Sequence, residues 1–373
     1  MRVLALLLTV ALAAEERAAY AVPILSYDSN LKLGYGGYGQ VVQGDPSGQR
    51  PFLASVDVQF YRTTGGYSNH FVRFDLPGIA DSRFRLGGQL RFVRWAQAPF
   101  YGVGTSAPRP LQVGEEVWYQ QQRLVWRSTV RIQLVRDVEL LVQYDIRREQ
   151  VEPYPNSLLE EQQPTGIEGG TYAWAALGFV RDRTDQEIDP HQGVAIDASA
   201  RLAHPWLGSD WTIPGVNARV RAYRPLGDSL VLATHGMVDL RWGDEPFFNQ
   251  AYAGGLGRGV VGGRWLLKGL AEERYRADNM VFANLELRWT FWSPTLREVP
   301  THWMLVPFVD TGRLWMWEEP AATPWVHLTG GAGLRVNVKE LLVFRGDVGF
   351  AVDETVAGRK GQVQVYLMSE HPF

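Results

Sequence analysis

The chain has 373 residues, a formal net charge of -3, 39 Gly, 12% aromatic residues and no Cys. It has no disulfide framework or thiol chemistry, and its near balance of charge leaves no basic footprint for nucleic acid. A mean hydropathy of -0.17 argues against a bundle of membrane helices, yet suits a barrel in which only alternate strand residues face lipid.

Met1-Arg2 precede an apolar run from Val3 to Ala14, and Glu15-Glu16-Arg17 follow. A basic start, a short apolar core and small residues at its end read as a secretory signal peptide over 1–14. The cut falls near Ala13 or Ala14, with Ala19-Tyr20-Ala21 as a second site that would move it to 21. The run is too short for a membrane helix. Residues 22–373 are then one barrel domain, since large barrels form single units at this length.

Pro23 to Tyr27 lead into a Gly- and Tyr-rich strand start at 31–39. Segments with alternating character follow at 51–62, 67–76, 83–97, 117–135 and 138–152. The second half adds 171–182, 194–204, 216–225, 229–243, 278–291, 303–317, 325–338, 341–353 and 361–373. Each is near the length that a tilted membrane strand requires. Bacterial barrels have an even number of strands, so one more is expected. Counting turns from both ends, with short turns periplasmic and long loops outside, places it in 100–114. Sixteen strands is the reading, and fourteen is the alternative.

The 152–170 segment reads as a long outer loop, and 181–193 as a polar turn. Gly227-Asp228-Ser229-Leu230 spells a lipase motif, but between two alternating strands it is turn chemistry. Gly257 to Gly262 fits GxGxxG, but lacks the strand and helix that a dinucleotide site needs. The seven His are scattered without metal-ligand spacing. No catalytic, cofactor or metal site is expected, and the chain is read as a non-enzyme.

The longest connection runs over 244–277 and enters a strand in which Val281, Ala283, Leu285, Leu287, Trp289 and Phe291 alternate with Phe282, Asn284, Glu286, Arg288 and Thr290. One greasy and one wet side is the period-2 signature of a strand between lipid and lumen. Trp265, Trp289, Trp292, Trp303, Trp315 and Trp317 lie near strand ends, as an aromatic girdle would.

The run from Gly262-Gly263 through Lys268-Gly269-Leu270 and Arg274-Tyr275 to Asp278-Asn279, entering a strand with Glu286-x-Arg288-Trp289, resembles the BamA/TamA superfamily, the bacterial surface antigen family of outer-membrane barrels. Phe308-x-Asp310-x-Gly312 matches that family's Phe-x-Asp-x-Gly motif, and the turn at 181–193 and Phe100 to Gly104 also resemble it. Lys268 stands where the family has Arg, and Leu270 where it has Tyr or Phe. A terminal Phe373 on an alternating strand resembles the signal by which such barrels are recognised for insertion.

The resemblance implies an all-β, transmembrane antiparallel barrel of about sixteen strands in the Gram-negative outer membrane, a short form lacking POTRA domains. It implies a long extracellular loop folded into the lumen, where the basic residue meets Asp310. Read from the residues alone, Lys268 is a solvated loop cation and Asp310 a polar lumen residue. In a hydrated lumen the pair is worth about 0–1 kcal/mol. The implied function is to assist insertion or translocation of proteins, with a separate periplasmic partner and an outer-membrane or secreted protein as substrate. The alternative is a passive or ligand-specific pore, or a structural surface antigen; under either reading outer-membrane lipids surround the barrel.

Overall fold

The computed structural model describes residues 12–14, 17–44, 52–77, 83–104, 115–186, 189–253, 259–296, 299–318, 326–338, 342–356 and 359–369. Most of the signal segment and Phe373 lie outside them. The chain winds up and down through β1 (Arg17–Asp28), β2 (Lys32–Gln43), β3 (Ala54–Thr63), β4 (Tyr67–Pro77), β5 (Phe84–Pro99), β6 (Trp118–Val135), β7 (Val138–Pro153) and β8 (Gly170–Asp182). It continues through β9 (Gly193–Ala203), β10 (Ile213–Gly227), β11 (Leu230–Arg241), β12 (Asn279–Trp292), β13 (Val299–Trp315), β14 (Val326–Val338), β15 (Leu342–Val356) and β16 (Arg359–Ser369). Each strand pairs antiparallel with the next, and β16 returns to β1, closing a sixteen-stranded antiparallel barrel. Closure satisfies backbone donors and acceptors that hydrocarbon cannot.

The alternation in sequence becomes two faces of one wall. On β12, Val281, Leu285, Trp289 and Phe291 are exposed, whereas Phe282, Asn284, Glu286 and Arg288 are buried. The outer rows of β13 (Leu305, Val309) and β15 (Phe344, Val348, Phe350) follow the same rule. The inward rows carry the buried polar residues, including Asp145, Asp239, Asp310 and Arg335. No helix among the described residues is long and apolar enough to cross a membrane.

The described part of 100–114, residues 100–104, forms no strand, and the sixteenth strand of the barrel lies elsewhere. Phe100 to Val103 run outside any strand, and Gly104 makes only an isolated bridge to Arg276. Phe100 N donates to Val117 O at 2.7 Å and Gly104 N to Arg276 O at 2.8 Å, while 105–114 lie outside the described residues. The extra strand is β1, whose Ala21, Leu25 and Tyr27 face outward and whose Ile24 and Asp28 face inward. Its apolar residues sit on both faces, which hides the period, and Pro23 argues against a strand in sequence. Pro23 stands opposite Gly37 on β2, in the strand that begins the barrel at its seam, where Pro is more easily accommodated than in a central strand.

An up-and-down meander gathers all odd-to-even connections at one end of the barrel. These include 100–117, 154–169, 204–212 and 242–278, so the long connections share that end. An apolar cluster lies there, built from Trp95, Phe100, Tyr119, Trp174, Phe247 and Phe248. The other end carries tight turns such as 136–137 and 228–229.

Candidate functional site

The connection after β11 meets the wall at two places. At the first, a short helix, α1 (Phe247–Gln250), presents two buried rings. Phe247 stands edge-on to Phe100 at 5.3 Å and Tyr119 at 5.4 Å, and Phe248 to Trp211 at 5.6 Å. Arg276 ties the return limb to this cluster, donating to Phe247 O at 3.1 Å and Pro99 O at 2.6 Å and pairing with Glu273 at 2.6 Å.

At the second, the chain doubles back sharply. Gly262 has φ +77° and a β-carbon on it would collide with Ala271 O, so only glycine fits. Leu267 holds a left-handed φ of 56°, which costs a non-glycine residue about 1–2 kcal/mol. The next residue collects the return. Lys268 N donates to Asp310 Oδ2 at 2.9 Å, and its Nζ to Asp310 Oδ1 at 3.1 Å. Lys268 Nζ also lies 3.7 Å from Glu286 and 4.2 Å from the Phe308 ring centroid. Lys268 and Asp310 are both fully buried.

Around this pair the remaining motif residues have steric roles. Gly269, at φ +114°, lies flat on β15: a β-carbon on Gly349 would sit 2.7 Å from its amide nitrogen. Leu270 is fully buried in a second apolar cluster with Leu266, Tyr275, Met280 and Phe282. Gly312 leaves room for the Phe282 ring, which a β-carbon there would strike. The structure therefore brings Lys268, Gly269, Phe308 and Asp310 together, with Leu270 and Gly312 packed beside them.

Other members of the site are not singled out by the motif reading. Arg335 on β14 grips Glu286 with two bonds of 2.6 and 2.8 Å. Arg288 reaches the same carboxylate at 3.2 Å and Asp189 at 3.6 Å, and Asn337 donates to Asp189 at 2.5 Å. A polar chain thus runs from the Lys268 tip along the inward rows of β12 and β14 to Asp189, in the turn at the opposite end. Glu286-x-Arg288 on the wet row is a sequence signal for part of it. Arg335 and Asp189 carry none, because their partners are distant in sequence. Trp265 departs from the girdle reading: it packs with the tip, its ring 5.7 Å from the Arg345 guanidinium.

The tip also touches both sides of the closure. Tyr366 on β16 accepts from Gly269 N at 3.3 Å, and Gln362 accepts from Ala271 N at 3.0 Å. Asn30, in the turn after β1, accepts from Glu272 N at 3.4 Å. Among the described residues, the register pairs of the closure are Tyr27 with Leu367 and Asp28 with Tyr366. The adjoining β1–β2 ladder runs from Arg17–Gln43 to Asp28–Lys32. Burial pushes the Glu272 carboxyl up to about 8, with Asp28 and Glu273 adding to the shift and Arg264 opposing it. Asp278, at the foot of β12, is raised to about 6, again by burial.

The Omp85 superfamily domain matches residues 54–366. Among solved structures, BamA from Haemophilus ducreyi lacking POTRA domains 1-3 superposes with a TM-score of 0.60 at 17% identity, over 94% of this chain and 69% of that one. CdiB from Escherichia coli gives 0.62 at 13%, over 96% and 63%, and CdiB from Acinetobacter baumannii 0.57 at 14%, over 96% and 60%. This chain spans less than two thirds of either CdiB chain. No curated protein matches the sequence.

Proposed function

Because the chain belongs to the Omp85 superfamily, a fold that indicates the bacterial outer membrane, we propose that it assists the insertion or translocation of other proteins at that membrane. The observation that carries this reading is the loop tip fastened across the closure between β1 and β16, which among the described residues has two register pairs. A seam strand that parts from its neighbour offers backbone donors and acceptors to an incoming strand. In this account the seam opens laterally, a segment of the client adds to an exposed edge, and the Lys268–Asp310 latch holds the tip against the seam until it does. The client is an outer-membrane or secreted protein, delivered by a separate periplasmic partner.

The chain has no Cys, so a seam lock can be introduced cleanly. Tyr27→Cys with Leu367→Cys joins directly opposed residues, whose spacing suits a disulfide. The oxidised variant should lose client insertion and recover it on reduction. Full activity in the oxidised state would overturn lateral opening. A stable, ion-selective conductance that the lock leaves unchanged would favour a pore.

A further inference from the structure

The barrel interior holds a buried cation whose neighbouring carboxylates are each paired with another arginine. Arg147 on β7 is 2% exposed. It donates to Asn249 Oδ1 of the loop and lies 4.7 Å from the Tyr172 ring centroid. No carboxylate among the described residues lies within ion-pair distance of it, and its Nε has no hydrogen-bond partner. The surrounding carboxylates are engaged elsewhere. Asp145 binds Arg127 at 2.9 Å, Asp239 binds Arg201 at 2.6 Å, Glu245 binds Arg241 at 3.3 Å, and Glu149 binds Arg123. Glu273, beyond them, is held by Arg276. Every acid in the group has its own guanidinium, and Arg147 is the one left over.

A second bare donor faces the same space. Arg201 Nη1 is buried without a partner. Arg147 and Arg201 both line a cavity of about 20 Å³, together with Tyr172, Trp174, Asn249 and Tyr252. That volume admits one occupant of the size of a water molecule. Water would satisfy the two donors but would bring no charge to Arg147, and buried charges are favoured when paired directly.

We propose that this cavity binds one small monovalent anion of halide size, with chloride as its natural occupant, held by Arg147 Nε and Arg201 Nη1. The site joins β7, β8 and β9 to loop residues 249–252, so the anion fastens the loop's first anchor, on the side of α1, independently of the Lys268–Asp310 latch.

The test uses the refolded full chain in detergent, with bromide as the probe. Crystals grown in bromide should show an anomalous peak within hydrogen-bond reach of Arg147 and Arg201 that Arg147→Gln abolishes. In solution, exchanging gluconate for chloride at fixed ionic strength should raise the wild-type melting temperature by a few degrees and slow proteolysis of the 242–278 connection several-fold. Arg147→Gln should not respond. Absence of the peak with identical melting in the two salts overturns the proposal, because the cavity then holds water. A peak that persists in Arg147→Gln also overturns it, as an adventitious ion only. Should Arg147→Gln not fold, the wild-type bromide map and salt comparison decide the matter alone.

Discussion

Neutralising Asp310 tests whether the latch holds the tip. Both partners are fully buried, so the pair lies outside the exposed regime in which ion pairs contribute about 0–1 kcal/mol. Breaking a buried pair by removing one partner costs about 3–5 kcal/mol, because the remaining charge is left uncompensated. Here the lower end applies, since Lys268 keeps Glu286 at 3.7 Å and the Phe308 ring at 4.2 Å. Glu286 cannot fully substitute, being already gripped by Arg335. Asp310→Asn keeps an oxygen for the Lys268 amide and loses only the charge, at about 3 kcal/mol. Asp310→Ala also strips the amide of its acceptor, adding about 1–3 kcal/mol. At about 1.4 kcal/mol per factor of ten, the undocked tip should become about a hundredfold more populated in the first variant and more so in the second. Hydrogen exchange over 262–277 in the detergent-solubilised barrel reads this directly, as faster exchange in the order Ala, Asn, wild type. Equal exchange in all three would refute the latch.

Three further outcomes are expected. Gly349→Ala places a methyl carbon 2.7 Å from the Gly269 amide and should loosen the tip by about 1–3 kcal/mol through overpacking, with the same exchange signature as Asp310→Asn and no change in barrel assembly. The Glu272 carboxyl is raised to about 8 in the docked tip, so docking binds a proton that the free tip releases near pH ~4.5. Docking should be strongest below that value and weaken as pH rises through about 8, read as increasing protease access, and Glu272→Gln should flatten the profile. Leu285→Arg, on the exposed face of β12, should cost about 2–4 kcal/mol at mid-membrane, seen in detergent-to-lipid refolding; folding as efficient as wild type would contradict the register.

The wall was legible because one face meets lipid, and that constraint imposes a period of two on strands such as 278–291 and 303–317. β1 was harder to read because Ile24 packs inward while its apolar neighbours face outward, and because Pro23 argues against a strand in sequence. Lys268 and Asp310 could be singled out by motif. The dryness of their surroundings could not: alternation shows which residues face inward, not what fills the space. That is settled by Leu266, Leu270 and Tyr275 packing against Met280 and Phe282, contacts between segments whose meeting depends on closure of the whole barrel. For the same reason nothing in the sequence marks Arg335, Asp189 or Arg147. Their partners come from strands or loops far along the chain.

The central claim is that this barrel acts on other proteins at the outer membrane. A quantitative outer-membrane proteome of the host lacking this gene, compared with its parent, tests it most directly. The account predicts loss of one or a few specific outer-membrane or surface proteins, restored by the wild-type chain and not by the oxidised Tyr27→Cys, Leu367→Cys variant. A proteome unchanged by the deletion would contradict it.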